Sequence, residues 1–127
     1  MAQYNKLLKI TDENIVGHIG IVEPNTKNNL PLLLMDYVEG KTLKKKLQES
    51  NKLELDKILD WALQIAKGVS ALHDRDIIHR DLSSNNIMIT NDSKLKLIDI
   101  GDQLTHGYLN YMQLNLIKMI IKLIEHL

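Results

Sequence analysis

Apolar residues return along this chain in three rhythms, and each rhythm predicts a different element. From Leu55 to His73, Ile58, Ala62, Ile65, Val69 and Leu72 recur at steps of three and four, and Leu55, Leu59 and Ala66 widen the stripe. Asp56, Lys57, Asp60, Gln64 and Lys67 lie mostly off it, so the spacing predicts a core helix over 55–73, with Trp61 as packing. The second rhythm is the short continuous run. Leu30-Pro31-Leu32-Leu33-Leu34-Met35 reads as a buried strand. Ile87-Met88-Ile89 and Leu95–Ile98 read as a hairpin closed at Asn91-Asp92-Ser93. The third is at the end. Leu114, Ile117, Ile120, Ile121 and Ile124 form a helical face over 111–127, broadened by Leu116, Met119, Leu123 and Leu127. Lys118, Lys122 and Glu125 interrupt it and it is too short to span a membrane, so it is expected to dock on the main helix or to bind a partner.

Weaker signals fill the gaps. Tyr4 to Ile10 reads as the last turns of a helix with Leu7, Leu8 and Ile10 inward, broken by Asp12-Glu13-Asn14. Ile15 to Val22 reads as a strand interrupted by Gly17 and Gly20, and Pro24–Asn29 as a turn. Asp36-Tyr37-Val38-Glu39-Gly40 closes the apolar run with a glycine turn, and Thr42 to Gln48 suits a short helix with Leu43 and Leu47 on one face. Together these elements predict an α+β chain.

Composition narrows the class. The chain has 127 residues, enough for one small domain with a modest core. Sixteen basic residues balance sixteen acidic ones, so no nucleic-acid or anionic-membrane partner is indicated. Lys44-Lys45-Lys46 reads as a solvated helix face. The absence of cysteine excludes disulfides and thiolate zinc sites. The first residues carry no signal-peptide core, and a cytoplasmic or nuclear address is expected.

Candidate chemistry sits between the main helix and the hairpin. Ile77-Ile78-His79-Arg80-Asp81-Leu82-Ser83-Ser84-Asn85-Asn86 sets a carboxylate at Asp81 and an amide at Asn86, five residues on. The first suits proton acceptance from a hydroxyl and the second suits ligation of a hard cation such as Mg²⁺. Asp99 follows Asp81 by eighteen residues, and the hairpin would return it to the same cleft.

At these residues the chain resembles the protein kinase family. His79-Arg80-Asp81-Leu82 with Asn86 is similar to its catalytic loop, and Asp99-Ile100-Gly101 to a variant of its metal-binding Asp-Phe-Gly. The resemblance covers residues 3–101: a small-lobe remnant over 3–35, a hinge over 36–40 and the start of a helical lobe over 41–101, with 102–127 an atypical helical extension. It implies Asp81 as catalytic base, and Asn86 and Asp99 as ligands of Mg²⁺. It also implies that the backbone of Asp36 and Val38 holds the adenine of ATP over Met88, with Met35 guarding the rear pocket and Asn86 close to the phosphates. Arg80 would face an activation-segment phosphate, and His79 would be structural.

Some positions depart from the family pattern. Gln3 falls near its paired glutamate, and an amide cannot form that ion pair. Ser83 stands where serine- and threonine-directed kinases commonly carry lysine. Ser83-Ser84-Asn85-Asn86 instead resembles the tyrosine-kinase-like branch, whose members mostly phosphorylate serine or threonine. Ile100 replaces phenylalanine, no G-x-G-x-x-G precedes the hinge, and no Ala-Pro-Glu follows Gly101. A family domain runs to roughly twice this length, so the chain is expected to be truncated at both ends. The resemblance therefore implies an ATP-dependent protein kinase acting on a protein substrate, with this chain alone inactive. The alternative is a pseudokinase-like fragment that pairs with a partner kinase or binds nucleotide weakly, and a third possibility is a gene fragment with a replaced ending.

Overall fold

The computed structural model describes residues 2–23, 31–50, 52–77, 79, 82–100 and 109–127, those at 2–4 and 109–115 by backbone alone. In chain order the elements are α1 (Ala2–Leu8), β1 (His18–Val22), β2 (Leu32–Met35), β3 (Gly40–Thr42), α2 (Leu43–Glu49), α3 (Leu55–His73), β4 (Ile87–Thr90), β5 (Leu95–Leu97) and α4 (Leu109–Ile124). This is the expected α+β architecture. The turn expected at Pro24–Asn29 lies outside the described residues.

Helix α3 has the ends its periodicity predicted, but its inward arc is rotated. Ile58, Ile65, Val69 and Leu72 are buried as expected, whereas Leu55 and Leu59, expected in the stripe, are exposed. Trp61, Gln64 and Gly68 take their place in the core, so Trp61 does serve as packing. The reason is Gly68. A Cβ there would lie 2.9 Å from the Asn14 carbonyl oxygen and 3.0 Å from Leu97 Cδ1, so the glycine lets residue 14 and the hairpin close onto that side of the helix.

Gln64 then becomes a polar node. Its Oε1 accepts from Asn14 Nδ2 at 3.0 Å and from the Leu95 N–H at 2.9 Å, and its Nε2 donates to Asp60 Oδ2 at 2.9 Å. Asn14 Nδ2 also donates to the Leu95 carbonyl at 2.9 Å. Buried polar groups that find partners in this way fix one packing of the segments they join. Here those segments are α3, the stretch before β1, and β5.

The hairpin β4–β5 is antiparallel, and β3 extends it to the order β3-β4-β5. Strand β3 was not expected. Its register sets Gly40 against Thr90, where a Cβ would fall on the Ile89 carbonyl, so glycine permits the close approach. Ile87, Ile89, Leu95 and Leu97 face the core while Met88, Thr90 and Lys96 occupy the other face. Helix α2 follows directly, capped by Thr42, whose Oγ1 accepts the Lys45 N–H at 3.1 Å, and it buries Leu43 and Leu47 as predicted.

Two expectations about apolar faces are corrected. Strand β2 is not buried: Leu32 and Leu34 alternate outward at 63% and 44% exposure. Among the described residues it pairs only with β1, and Ile19, Val22, Leu32 and Leu34 of that two-stranded sheet are exposed. In α4, Ile117, Ile121 and Ile124 point to solvent, while Met119 and Leu123 are buried and Leu116 is half-buried. Two contacts set this rotation. The His126 carbonyl accepts the Leu53 N–H at 2.7 Å, and Lys122 Nζ donates to Ser84 Oγ at 3.1 Å. Helix α4 does pack on α3, as one of the two expectations held. Among the described residues no helix is long and apolar enough to cross a membrane.

Candidate functional site

Hydrogen bonds to α2, α4 and the end of β5 hold the loop from Leu82 to Asn86. The Asn86 N–H donates to the Ser83 carbonyl at 2.9 Å, and the Lys44 N–H, at the start of α2, donates to the Ser84 carbonyl at 3.0 Å. The Ile98 N–H donates to the Asn86 carbonyl at 3.0 Å, and Lys122 of α4 holds the Ser84 hydroxyl. Ser84 is almost wholly buried, which makes it the anchor that joins α2, α4 and the loop. Sequence reading passed over it because a serine between polar neighbours carries no burial signal.

The Ile98–Asn86 bond also positions the metal-ligating candidates. Asn86 immediately precedes β4 and Asp99 stands two residues past β5, so closing the open end of the hairpin sets the two in adjacent backbone positions. Asn86 is buried and Asp99 is exposed. The Asp99 backbone adopts φ 56°, the left-handed region that aspartate visits more readily than most residues. Ile100, just behind it, is completely buried and serves as the expected apolar plug.

His79 is also completely buried, and its Nε2 lies 2.8 Å from the Ile98 carbonyl. A carbonyl only accepts, so Nε2 carries the proton. The imidazole therefore tethers the strand that leads to Asp99, which is the structural role expected of it. Asp81, with Ile78, Arg80 and Gly101, lies outside the described residues.

The connection from β2 to β3 supplies the remaining candidates. The Asp36 N–H donates to the Gly17 carbonyl at 2.8 Å, so its own carbonyl is the group left to meet a ligand. The Val38 N–H makes no hydrogen bond among the described residues. Both residues line a cleft of about 540 Å³ together with Val16, Gly17, Tyr37, Glu39, the Thr90–Asp92 turn and Lys96. Met88, Asn86 and Asp99 do not line it. Met88 is half-buried on the same sheet face as Thr90 and Lys96, two positions along β4 from Thr90 and directly opposite Lys96. The candidates thus form two groups, Asp36 and Val38 at one end of β4 and Asn86 and Asp99 at the other, with Met88 between them.

Charge within the cleft is mixed. Asp36, Glu39 and Asp92 contribute carboxylates, while the Lys96 ammonium is bonded to the Glu13 carbonyl at 3.0 Å. His18, behind Asp36, is buried with neither ring nitrogen hydrogen-bonded among the described residues. Burial lowers its pKa, and the Val16 backbone and the Asp36 carboxylate act in the opposite direction. No cluster of three His, Cys, Asp or Glu side chains occurs among the described residues, so a cation here would rest on the amide and carboxylate of Asn86 and Asp99.

Comparison with known proteins identifies the family. Residues 2–108 match the family model described as the protein kinase domain. A probable serine/threonine-protein kinase of Clostridium acetobutylicum is 42% identical over 93 residues, covering 73% of this chain and 14% of that protein. A second, from Clostridium perfringens, is 30% identical over 95 residues, covering 75% of this chain and 13% of that protein. The mouse serine/threonine-protein kinase Nek1 is 40% identical over 77 residues, 59% of this chain and 6% of that protein. The chain thus spans less than a fifth of the length of these three relatives. The kinase reading is favoured over that of a partner-pairing fragment. With the loop, the hairpin and the family match in agreement, the chain belongs to the protein kinase domain family.

Proposed function

We propose that this chain carries the nucleotide- and metal-holding part of a serine/threonine protein kinase. In this reading residues 3–35 are a small-lobe remnant, 36–40 the hinge, 41–101 the start of the helical lobe and 102–127 an extension. The observation that supports it most is the Ile98–Asn86 bond, which brings the backbone of Asn86 against the residue before Asp99 at the end of the hairpin. The Asn86 amide and the Asp99 carboxylate are oxygen donors of the kind a hard cation takes, so Asn86 and Asp99 fit Mg²⁺. When bound with ATP, Mg²⁺ would neutralise charge developing on the phosphates. The Asp36 carbonyl would accept from the adenine edge and the Val38 N–H would donate to it, with Met88 beneath the ring. Asp81 would take the proton of the substrate hydroxyl. The serine/threonine assignment rests on the names of the relatives.

The chain by itself lacks the parts that bring phosphate and hydroxyl together. No G-x-G-x-x-G precedes the hinge and no Ala-Pro-Glu follows Gly101. Enzymes lower barriers by ~8–23 kcal/mol, and in phosphoryl transfer that depends on positioning both reactants. The purified chain given Mg-ATP and a generic protein substrate is expected to show no phosphorylation above background. It is expected to bind nucleotide weakly, in a Mg²⁺-dependent way that Asp99→Ala abolishes, as read by calorimetric titration. Binding that survives both Asp99→Ala and Mg²⁺ removal would refute the site. Transfer that is lost in Asp81→Asn would refute the inactivity of the isolated chain.

A further inference from the structure

The loop that carries Asn86 is tied to a helix that lies past the residues matching the kinase domain, since α4 begins at Leu109. Lys122 of α4 donates from Nζ to Ser84 Oγ at 3.1 Å. Ser84 is 3% exposed and stands two residues before Asn86. Lys122 is an exposed residue and makes no salt bridge among the described residues. A lysine on a solvent-facing part of a helix ordinarily leaves its ammonium in water, because ordering the long side chain costs entropy. Here the ammonium is committed instead to one buried hydroxyl of the loop.

From Ser84 the bonds continue toward the candidate cation ligands. The Ser84 carbonyl accepts the Lys44 N–H of α2, the Asn86 N–H donates to the Ser83 carbonyl, and the Asn86 carbonyl accepts the Ile98 N–H next to Asp99. A shift of Ser84 therefore reaches Asn86 through two peptide units, and the residue before Asp99 through one further hydrogen bond. Helix α4 is seated by other contacts. Met119 and Leu123 are buried, and the His126 carbonyl accepts the Leu53 N–H at 2.7 Å. His126 Nδ1 donates to the Lys122 carbonyl at 3.1 Å, since a carbonyl only accepts. These contacts dock the helix without the ammonium, so the Lys122–Ser84 bond is left to fix the loop.

On the reading of Asn86 and Asp99 as cation ligands, we propose that Lys122 is a positioning residue for that site. It holds Ser84, and through Ser84 it holds Asn86 where the end of the hairpin meets it. Lys122 acts through the loop and does not itself touch the cation. Docking of α4 thereby sets the affinity for Mg²⁺ with nucleotide, which makes this helix a regulatory element of the site.

Two measurements on the full chain test this, with urea unfolding to show that each variant is folded. The first is amide hydrogen exchange without nucleotide. In Lys122→Met the Lys44, Asn86 and Ile98 N–H groups should exchange about fivefold faster, the effect expected of one lost hydrogen bond. The Leu97 N–H, which donates to the Asn14 carbonyl, should be unchanged. The second is calorimetric titration with Mg-ATP. Lys122→Met should weaken binding about fivefold, and Lys122→Arg should keep it within about twofold. In a Ser84→Ala background Lys122→Met should have no further effect, since the two residues act as one unit. Exchange that Lys122→Met leaves unchanged overturns the inference, and this arm needs no Ser84 variant to fold. An equal loss of affinity with and without the Ser84 hydroxyl also overturns it, because the lysine would then act by its charge on the phosphates. A wild-type chain that fails to bind Mg-ATP overturns the cation site, and the exchange result then decides by itself whether Lys122 positions the loop.

Discussion

Each of the two sheets of this protein contains a strand rich in apolar residues, yet those strands ended in opposite environments. In β3-β4-β5, Ile87, Ile89, Leu95 and Leu97 are buried, with α3 packed on β5 and α2 on β4. In β1–β2, Leu32 and Leu34 face outward beside Val22, and among the described residues no non-neighbouring atom lies within 4 Å of where a Gly20 side chain would begin. The difference is the layer opposite, since apolar character states what a strand would bury and only a partner element decides whether it does. The hairpin has α3, and the Asn14–Gln64 node locks the two together. Among the described residues, the two-stranded sheet has no second layer over Leu32 and Leu34.

Core truncation should separate the two regions most strongly. Ile65→Ala, in the completely buried seam under the hairpin, is expected to cost about 2–5 kcal/mol. Leu32→Ala on the open face should cost no more than about 0.5 kcal/mol. Urea unfolding of both variants checks this, and equal losses would mean that the sheet face is covered in solution.

The polar node gives the next effect. Gln64→Leu keeps the volume but strands the Leu95 N–H and one donor of Asn14, at about 1–3 kcal/mol by the same denaturation. A near-neutral result would show that water reaches the node.

Gln64 also marks where sequence reading stopped. The α3 helix, the hairpin, α2 and the family's loop motif were legible because each carries a local signal: a repeat of three and four, a turn cluster, two leucines four residues apart, a motif. Gln64 and Asn14 were read as a surface amide and a helix breaker, because their burial depends on each other across fifty residues. The facing of α4 failed for the same reason. Its apolar residues nearly encircle it, so the choice between the Ile121 side and the Leu123 side fell to Lys122 on Ser84 and to His126 on Leu53. Of the site, the residue types and their order were legible. The division of the candidates between the two ends of β4 was not, since that depends on how the 36–39 connection meets the β4–β5 turn.

The smallest effect is a pH dependence confined to the β1–β2 region. Burial holds the His18 pKa below its ordinary value, so the unfolded chain takes up a proton before the folded one as pH falls. His18 therefore contributes full stability above a pH of about 6.5, loses it as the pH falls from there toward the folded pKa, and loses no more below that. The difference in stability between wild type and His18→Leu, measured from pH 8 to 5, should change in that direction. A flat difference would mean that His18 is hydrated in the folded state.

The central claim is that Asn86 and Asp99 form one cation site at the end of the hairpin. Its most direct test is NMR with Mn²⁺ replacing Mg²⁺ in the presence of ATP, read through paramagnetic broadening of backbone amides. The resonances of Asn86, Ile98 and Asp99 are expected to broaden first, with those of Trp61 and Gln64 unaffected, and Asp99→Ala should remove the effect. Broadening centred instead on Asp36, Glu39 and Asp92, and unchanged by Asp99→Ala, would place the cation in the cleft at the other end of β4 and contradict the account.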